Sequence, residues 1–112
     1  MHIGVQQMGA VTVVELNGRI DSTTAKSFGD NLLGVLKSEQ SRVIVDFRNI
    51  LYISSAGFRV LLLAGRMADE TKSKFALCNL TSEVSRLFDL GAFTDLFDIY
   101  PSRDEGLTQL SA

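Results

Sequence analysis

Apolar residues recur along the chain with two different periods, and these periods predict strands and helices in a regular order. Short runs rich in β-branched residues and bounded by Gly, Asn or Pro predict strands at 3–7, 11–16, 43–47, 74–79 and 96–100. Apolar residues three and four positions apart predict helices with one buried face. These helices are expected from the cap residues 21–24 to about 36, from after Gly57 to near Glu70, at 81–91 and at 102–110.

The order of these segments predicts an α/β fold, with residues 1–112 forming one domain. A short link at 8–10 joins the first two strands into an N-terminal hairpin, and Asn17-Gly18 is expected to close the second strand. The later strands alternate with helices, which is typical of right-handed crossovers between parallel strands. We therefore expect a mixed, mostly parallel sheet of about five strands with four helices.

The composition and net charge of the chain argue against several classes of function. The chain is 46% hydrophobic and 21% charged, as in an ordinary globular protein. Its net charge is −2, and the Lys and Arg residues are scattered rather than gathered in the basic stripe that nucleic-acid binding requires. The beginning of the sequence lacks the pattern of a signal peptide, and no apolar run approaches the ~20 residues of a membrane span. We expect a cytoplasmic protein with neither nucleic acid nor a membrane as a direct partner.

Residues for catalysis or metal binding are scarce. Cys78 and His2 are the only residues of their types, so they cannot form a zinc site, and Cys78 is expected to be a small buried hydrophobe. A serine nucleophile would lack a nearby base, and Ile53 stands where a G-x-S-x-G motif needs its first glycine. Ordinary surface or capping roles are expected for Asp21, Asp46, Asp69 and Glu70. No enzyme activity, metal or cofactor is predicted.

The stretch YISSAG, residues 52–57, places two serines between a strand and a helix. Ser54 suits the N-cap of the helix, where its hydroxyl accepts a hydrogen bond from an unpaired N–H, and Gly57 permits a tight turn. Capping does not require the second serine. A phosphate at the first turn would be compatible with the helix dipole but costly in an apolar contact with another protein. The pair is therefore either a simple cap or a phosphorylation switch.

Three motifs resemble those of STAS-domain anti-sigma-factor antagonists, and the resemblance covers nearly the whole chain. NGRID at 17–21 resembles the family's turn before the first helix. VDFRNI at 45–50 followed by YISSAGF at 52–58 resembles its strand and Asp-Ser-Ser/Thr-Gly-Leu signature. SRLFDLG at 85–91 resembles its third-helix motif. Each motif alone is weak, but the three in order at matching separations are specific.

The resemblance implies a position for the phosphoacceptor. Matching Gly57-Phe58 to the family's Gly-Leu places the family's acidic residue at Ser54 and its phosphorylated serine at Ser55. Ser55 is thus the implied phosphorylation site, with Ser54 the less favoured alternative. The sequence departs from the family because a hydroxyl replaces the carboxylate at Ser54.

The resemblance also implies partners. In this family the dephosphorylated domain binds a serine-kinase anti-sigma factor of GHKL type and frees a sigma factor. Phosphorylation by that kinase separates the pair, and a PP2C-type phosphatase reverses it. The chain would then be a kinase substrate and binding module rather than an enzyme.

The expected partner surface lies where the second helix begins. Its predicted residues are Arg19, Ile20, Asp21, Ser22, Ser54, Ser55, Ala56, Gly57, Phe58, Arg59 and Arg66. Helical spacing predicts an exposed stripe formed by Arg59, Leu63, Arg66 and Glu70. Simple solvation of the helix explains its arginines equally well, and N-capping explains Asp21. Core packing is the main role expected for Phe58, Leu61, Leu62 and Met67.

Two other functions are compatible with the sequence. One is a non-switching STAS module, either in a stressosome-like scaffold or as the accessory subunit of a lipid or anion transporter. The other keeps the kinase and phosphatase but gives the dephosphorylated domain a target other than an anti-sigma factor.

Overall fold

The computed structural model describes residues 2–112, and these form one sheet with helices on both faces. The strands are β1 (His2–Met8), β2 (Val11–Ile20), β3 (Arg42–Ile53), β4 (Lys74–Cys78) and β5 (Asp98–Tyr100). The helices are α1 (Ala25–Leu36), α2 (Ser55–Glu70), α3 (Ser82–Leu90) and α4 (Arg103–Ser111), with a short 3-10 helix at Thr94–Leu96. The strand order is β1-β2-β3-β4-β5; β1 is antiparallel to β2, and the other neighbours are parallel. The predicted fold class is confirmed.

The two strands that lead to the serines are longer than predicted. β2 continues through Asn17-Gly18 to Ile20, because a register shift against β3 and the positive φ of 120° at Gly18 absorb the irregularity. β3 continues past Phe47 to Ile53 even though exposed polar residues interrupt its apolar run. The expectations that these strands end at Asn17-Gly18 and at Phe47 were wrong. The consequence is that both strands end together, beside Ser54.

Two further boundaries and the conformation of one helix end differ from the predictions. α2 begins at Ser55 rather than after Gly57, so Gly57 lies in its first turn. Leu96 belongs to the 3-10 helix, and the last strand begins only at Asp98. α3 ends at Gly91 as expected, but Gly91 has a φ of −88° and the left-handed residue is Ala92, with a φ of 59°.

The core has two parts, one on each face of the sheet. The larger cluster lies between the sheet and α1, α2 and α3, and the smaller one lies under α4. Phe58 and Leu61 are buried as expected, and Met67 packs partly against the larger cluster. Leu62 is 41% exposed, so its placement in the core was wrong. None of the helices within residues 2–112 has the length and apolarity needed to cross a membrane.

Cys78 belongs to the smaller cluster and is buried, as predicted. Burial, reinforced by the negative charge of Asp46, raises the pKa of its thiol to about 12. The thiol therefore stays protonated at neutral pH, which keeps it unreactive in the folded protein.

Asp46 is buried rather than on the surface, which corrects the sequence-based expectation. Its carboxylate accepts a hydrogen bond from Nε of Arg103 at 3.0 Å, and Nη2 of the same guanidinium lies 2.9 Å away in an ion pair. It also accepts from the backbone N–H of Arg48 at 2.9 Å and the amide of Asn79 at 3.2 Å. Arg103 pairs in addition with the more exposed Glu15. This ion cluster fastens the start of α4 to the middle of the sheet.

Candidate functional site

The joint between β3 and α2 is built by Ser54. This residue has an extended backbone, with φ −87° and ψ 174°, and its hydroxyl accepts a hydrogen bond from the N–H of Gly57 at 3.4 Å. Its own N–H donates to the carbonyl of Ile20 at 2.8 Å, which joins the ends of β2 and β3. Ser54 is therefore the N-cap of α2, as the sequence predicts.

Ser55 has a different environment from its neighbour. It is the first residue of α2 and is exposed, whereas Ser54 is half-buried. None of the side-chain hydrogen bonds within residues 2–112 involves the Ser55 hydroxyl. Only one of the two serines is needed to hold the joint, and Ser55 presents its hydroxyl to solvent.

Ser55 stands on a ridge between two grooves. The first groove, of about 360 Å³, lies between α2 and α3 and is lined by Phe58, Leu62, Leu87 and Phe93 with the Tyr52–Ser55 segment. The second, of about 670 Å³, lies between α1 and α2 and includes Ala25, Lys26 and Leu63. Ser55 and Arg59 line both grooves. A group added to the Ser55 hydroxyl would therefore stand at the rim of two largely apolar depressions.

The turn after β2 lies beside this ridge. Arg19 stacks on the ring of Tyr52, with its guanidinium carbon 4.4 Å from the ring centroid. The carboxylate of Asp21 accepts from the backbone N–H groups of Thr23 at 2.9 Å and Thr24 at 3.2 Å. Asp21 thus orders the turn before α1, but the N-cap of α1 is Thr24, so the expectation that Asp21 is the N-cap was wrong.

The hydrogen bonds to Asp21 keep its carboxylate ionised. The Thr23 hydroxyl, followed by the backbone N–H of Thr23 and the groups of Thr24, holds the pKa of Asp21 below its ordinary value of 3.8. Because this pKa is lowered in the folded state, the contribution of Asp21 to stability is present above the ordinary value. It is lost as the pH falls through the lowered one.

The structure brings most of the predicted partner-binding residues together, but not all through their side chains. Exposed or half-buried positions around the ridge are occupied by Arg19, Asp21, Ser22, Ser54, Ser55, Ala56 and Arg59. Ile20 and Gly57 are buried and Phe58 is only 7% exposed, so these three shape the surface from beneath. Arg66 lies eleven residues beyond Ser55, about 16 Å along α2, and lines a separate groove beside β5. Arg66 therefore lies outside the two grooves that meet at Ser55, and the side chain of Ile20 does not face solvent.

Several residues that line these grooves were not identified from the sequence as part of the partner surface. Lys26 borders the groove between α1 and α2, whereas Tyr52, Leu87 and Phe93 line the groove between α2 and α3. Phe93 stacks on Phe58 with ring centroids 4.2 Å apart. Helical spacing predicts that Leu87 lies on the apolar face of α3. No local signal in the sequence shows which neighbouring helix this face contacts.

Replacement of Gly57 by alanine is expected to lower the free energy of unfolding by about 1–3 kcal/mol through overpacking. An added Cβ would lie 2.6 Å from Cγ1 of Ile53 and 2.7 Å from Cγ2 of Ile20, both buried at the ends of their strands. Gly65→Ala in the middle of the same helix is the matched control, because its Cβ would meet nothing within 4 Å. That substitution should stabilise the protein by up to about 1 kcal/mol. Urea denaturation of both variants measures the difference, and equal stabilities would contradict the close approach at Gly57.

Comparison with known protein families gives the class of the protein. The family model described as the STAS domain matches residues 2–106, nearly the whole chain. The chain therefore belongs to the STAS domain family, and the resemblance found in the sequence is confirmed.

Relatives and solved structures of this family include anti-sigma factor antagonists. The chain is 27% identical over 104 residues to BtrV of Bordetella bronchiseptica, provisionally named an anti-sigma factor antagonist; the match covers 93% of this chain and 90% of that protein. An anti-sigma factor antagonist from Mycobacterium paratuberculosis superposes with a TM-score of 0.84 at 22% identity, covering 99% and 94% of the two chains. The phosphorylated form of the Bacillus cell-fate determinant SpoIIAA superposes with a TM-score of 0.70 at 12% identity, covering 97% and 99%. At these identities the two structures show the shared fold.

Proposed function

We propose that this protein is a phosphorylation-regulated anti-sigma-factor antagonist. Unphosphorylated, it binds a GHKL-type serine-kinase anti-sigma factor in the cytoplasm through the ridge and grooves around Ser55. The kinase phosphorylates Ser55 and the complex separates, and a PP2C-type phosphatase restores the binding form. The protein itself serves as substrate and binding module and catalyses no reaction.

The observation that carries this proposal is the division of roles between the two serines. Ser54 is occupied as the helix cap, whereas the hydroxyl of Ser55 is exposed at the first residue of α2. A kinase can reach Ser55 without unfolding the helix. The Ser54 hydroxyl is half-buried and accepts a hydrogen bond from the N–H of Gly57, so a kinase would have to disturb the cap to reach it. This contrast supports Ser55 as the acceptor.

The surroundings of Ser55 also favour a stable phosphorylated form. The first turn of α2 contains no acidic residue, and the positive end of the helix dipole lies there. Arg59 follows one turn later, at the i+4 spacing where side chains on a helix meet. A phosphate at Ser55 would therefore be tolerated within the domain. The same charge, about −2, would be costly to desolvate against apolar partner groups seated in the two grooves.

Phosphosite mapping tests the proposal. The protein is incubated with its cognate GHKL-type kinase and ATP, and the phosphorylated residue is identified by mass spectrometry. We expect one phosphate on Ser55, none on Ser55→Ala, and undiminished labelling of Ser55 in the matched control Ser54→Ala. A phosphate on Ser54 instead would reassign the acceptor. No phosphate on either serine would refute the switch and favour a non-switching scaffold or transporter accessory role.

A further inference from the structure

The two edges of the sheet differ in how well they are protected. β5 is three residues long, includes the charged Asp98 and is followed directly by Pro101. β1 has seven residues, HIGVQQM, without Asp, Glu, Lys, Arg or Pro. Charges, prolines and short length are the usual means of keeping an edge strand from pairing with another chain. β5 carries these features, whereas β1 is an open edge.

The hairpin geometry identifies which backbone groups of β1 are free. Gly9 and Ala10 form a two-residue turn, and Met8 pairs with Val11 directly before and after it. In an antiparallel pair with such a turn, the closing residues bond each other, and every second residue then directs its N–H and C=O away from the partner strand. Counting back from Met8, the outward-facing residues are Ile3, Val5 and Gln7. β2 is the only element in extensive contact with β1 within residues 2–112.

Val5 is the apolar centre of this open edge. It pairs with Val14 of β2, whose side chain is buried in the larger core cluster, so Val5 projects on the same face of the sheet. Val5 is nevertheless 49% exposed, because nothing beyond β1 covers it in the part of the chain that the structure describes. A further strand placed along β1 would cover it.

We propose that β1 is a self-association edge, which pairs antiparallel with β1 of a second copy about a two-fold axis at Val5. In this register Val5 lies opposite its own counterpart and Ile3 lies opposite Gln7. All outward-facing residues of both strands then bond across the axis, and the two five-stranded sheets become continuous. The two Val5 side chains meet on one face, where each covers the other's exposed surface.

The absence of charged residues from β1 favours a second copy of this chain over a charged partner. Antiparallel self-pairing sets each residue against a residue of the same strand, and β1 contains no Asp, Glu, Lys or Arg to repel its copy. Contact along one edge strand buries less surface than the ~1,600 Å² of a standard stable interface. The dimer is therefore weak and forms at high protein concentration. It uses β1 alone, so it does not depend on the proposed role of Ser55.

Sedimentation equilibrium of the 112-residue chain tests the pairing. We expect the wild-type protein to change from monomer to dimer between about 10 μM and 1 mM, the range suited to a small interface. Val5→Lys and Val5→Glu should each weaken association about tenfold or more, because like charges then face each other at the axis. An equimolar mixture of the two variants should recover association as a heterodimer. Leu51→Lys is the matched control, since Leu51 is also an exposed apolar strand residue, and it should associate as the wild type does.

Amide hydrogen exchange supplies a second measurement that needs no variant. With rising concentration, the amides of Ile3, Val5 and Gln7 should become protected, whereas those of Gly4 and Gln6 already bond to β2 and should change little. A wild-type protein that stays monomeric up to about 1 mM would overturn the proposal. So would a Val5→Lys dimer as tight as the wild type, assemblies larger than two, or concentration-dependent protection outside the alternate residues of β1.

Discussion

Phosphorylation of Ser55 is expected to weaken binding of the proposed partner, a serine-kinase anti-sigma factor, about a hundredfold. The phosphate would stand on the ridge between the two grooves, where an apolar partner group must be desolvated next to it. A loss of about 3 kcal/mol is reasonable for a doubly charged group at such a contact, and it corresponds to about a hundredfold in affinity. The domain itself should keep its fold, because the N-terminus of α2 accommodates the charge.

Isothermal titration calorimetry of the kinase with five forms of the protein, the phosphorylated and unphosphorylated wild type and three variants, measures this effect. Ser55→Ala should bind as the unphosphorylated wild type does, and Ser55→Asp should lose about tenfold, since it adds one charge rather than two. Gln109→Glu adds the same single charge on α4, outside both grooves that meet at Ser55, and should leave the affinity unchanged. Equal dissociation constants for the phosphorylated and unphosphorylated proteins would exclude phosphorylation as the release step.

Replacement of Arg103 by methionine is expected to lower the free energy of unfolding by about 3–5 kcal/mol. The side chain of Asp46 is only 6% exposed, and Arg103 supplies its charge partner. Methionine preserves much of the side-chain volume but leaves a buried carboxylate without a cation. Breaking a buried pair from one side is far more costly than removing both partners.

Two further variants separate this cause from a general effect of mutating α4. Glu15→Gln removes the more exposed partner of Arg103, whose side chain is 47% exposed, and should cost less than about 1 kcal/mol. The double variant Asp46→Asn/Arg103→Met should be more stable than Arg103→Met alone. Guanidinium denaturation gives the three values. If Arg103→Met costs no more than Glu15→Gln, the charge of Asp46 is not stabilised by Arg103.

Much of the architecture could be predicted because local patterns determine it. The alternation of strands and helices, the hairpin and the Ser54 cap each depend on residues a few positions apart. The ends of β2 and β3 could not be predicted, because cross-strand pairing carries the two strands through polar residues such as Asn17 and Asn49. The burial of Asp46 could not be predicted either, since its partner Arg103 lies 57 residues further along the chain.

Within the candidate site, too, some features could be predicted from the sequence and others could not. Ser54 and Ser55 could be assigned different roles from their order relative to the strand and helix. The grooves beside Ser55 could not be foreseen, because Lys26, Leu87 and Phe93 reach it from other elements. Leu62 was misplaced because helical spacing alone does not show that α2 and α3 leave a gap between them.

The stacking of Arg19 on Tyr52 has an optical consequence. The chain has no tryptophan and two tyrosines, so its intrinsic fluorescence comes from Tyr52 and Tyr100. Tyr100 packs against the smaller core cluster, on the α4 side of the sheet, whereas Tyr52 lies beside Ser55 under a guanidinium group. A bound partner or a phosphate that draws Arg19 away from the ring changes the surroundings of one emitter and leaves the other as an internal reference. The protein thus carries a fluorescent reporter of its own at the proposed partner surface.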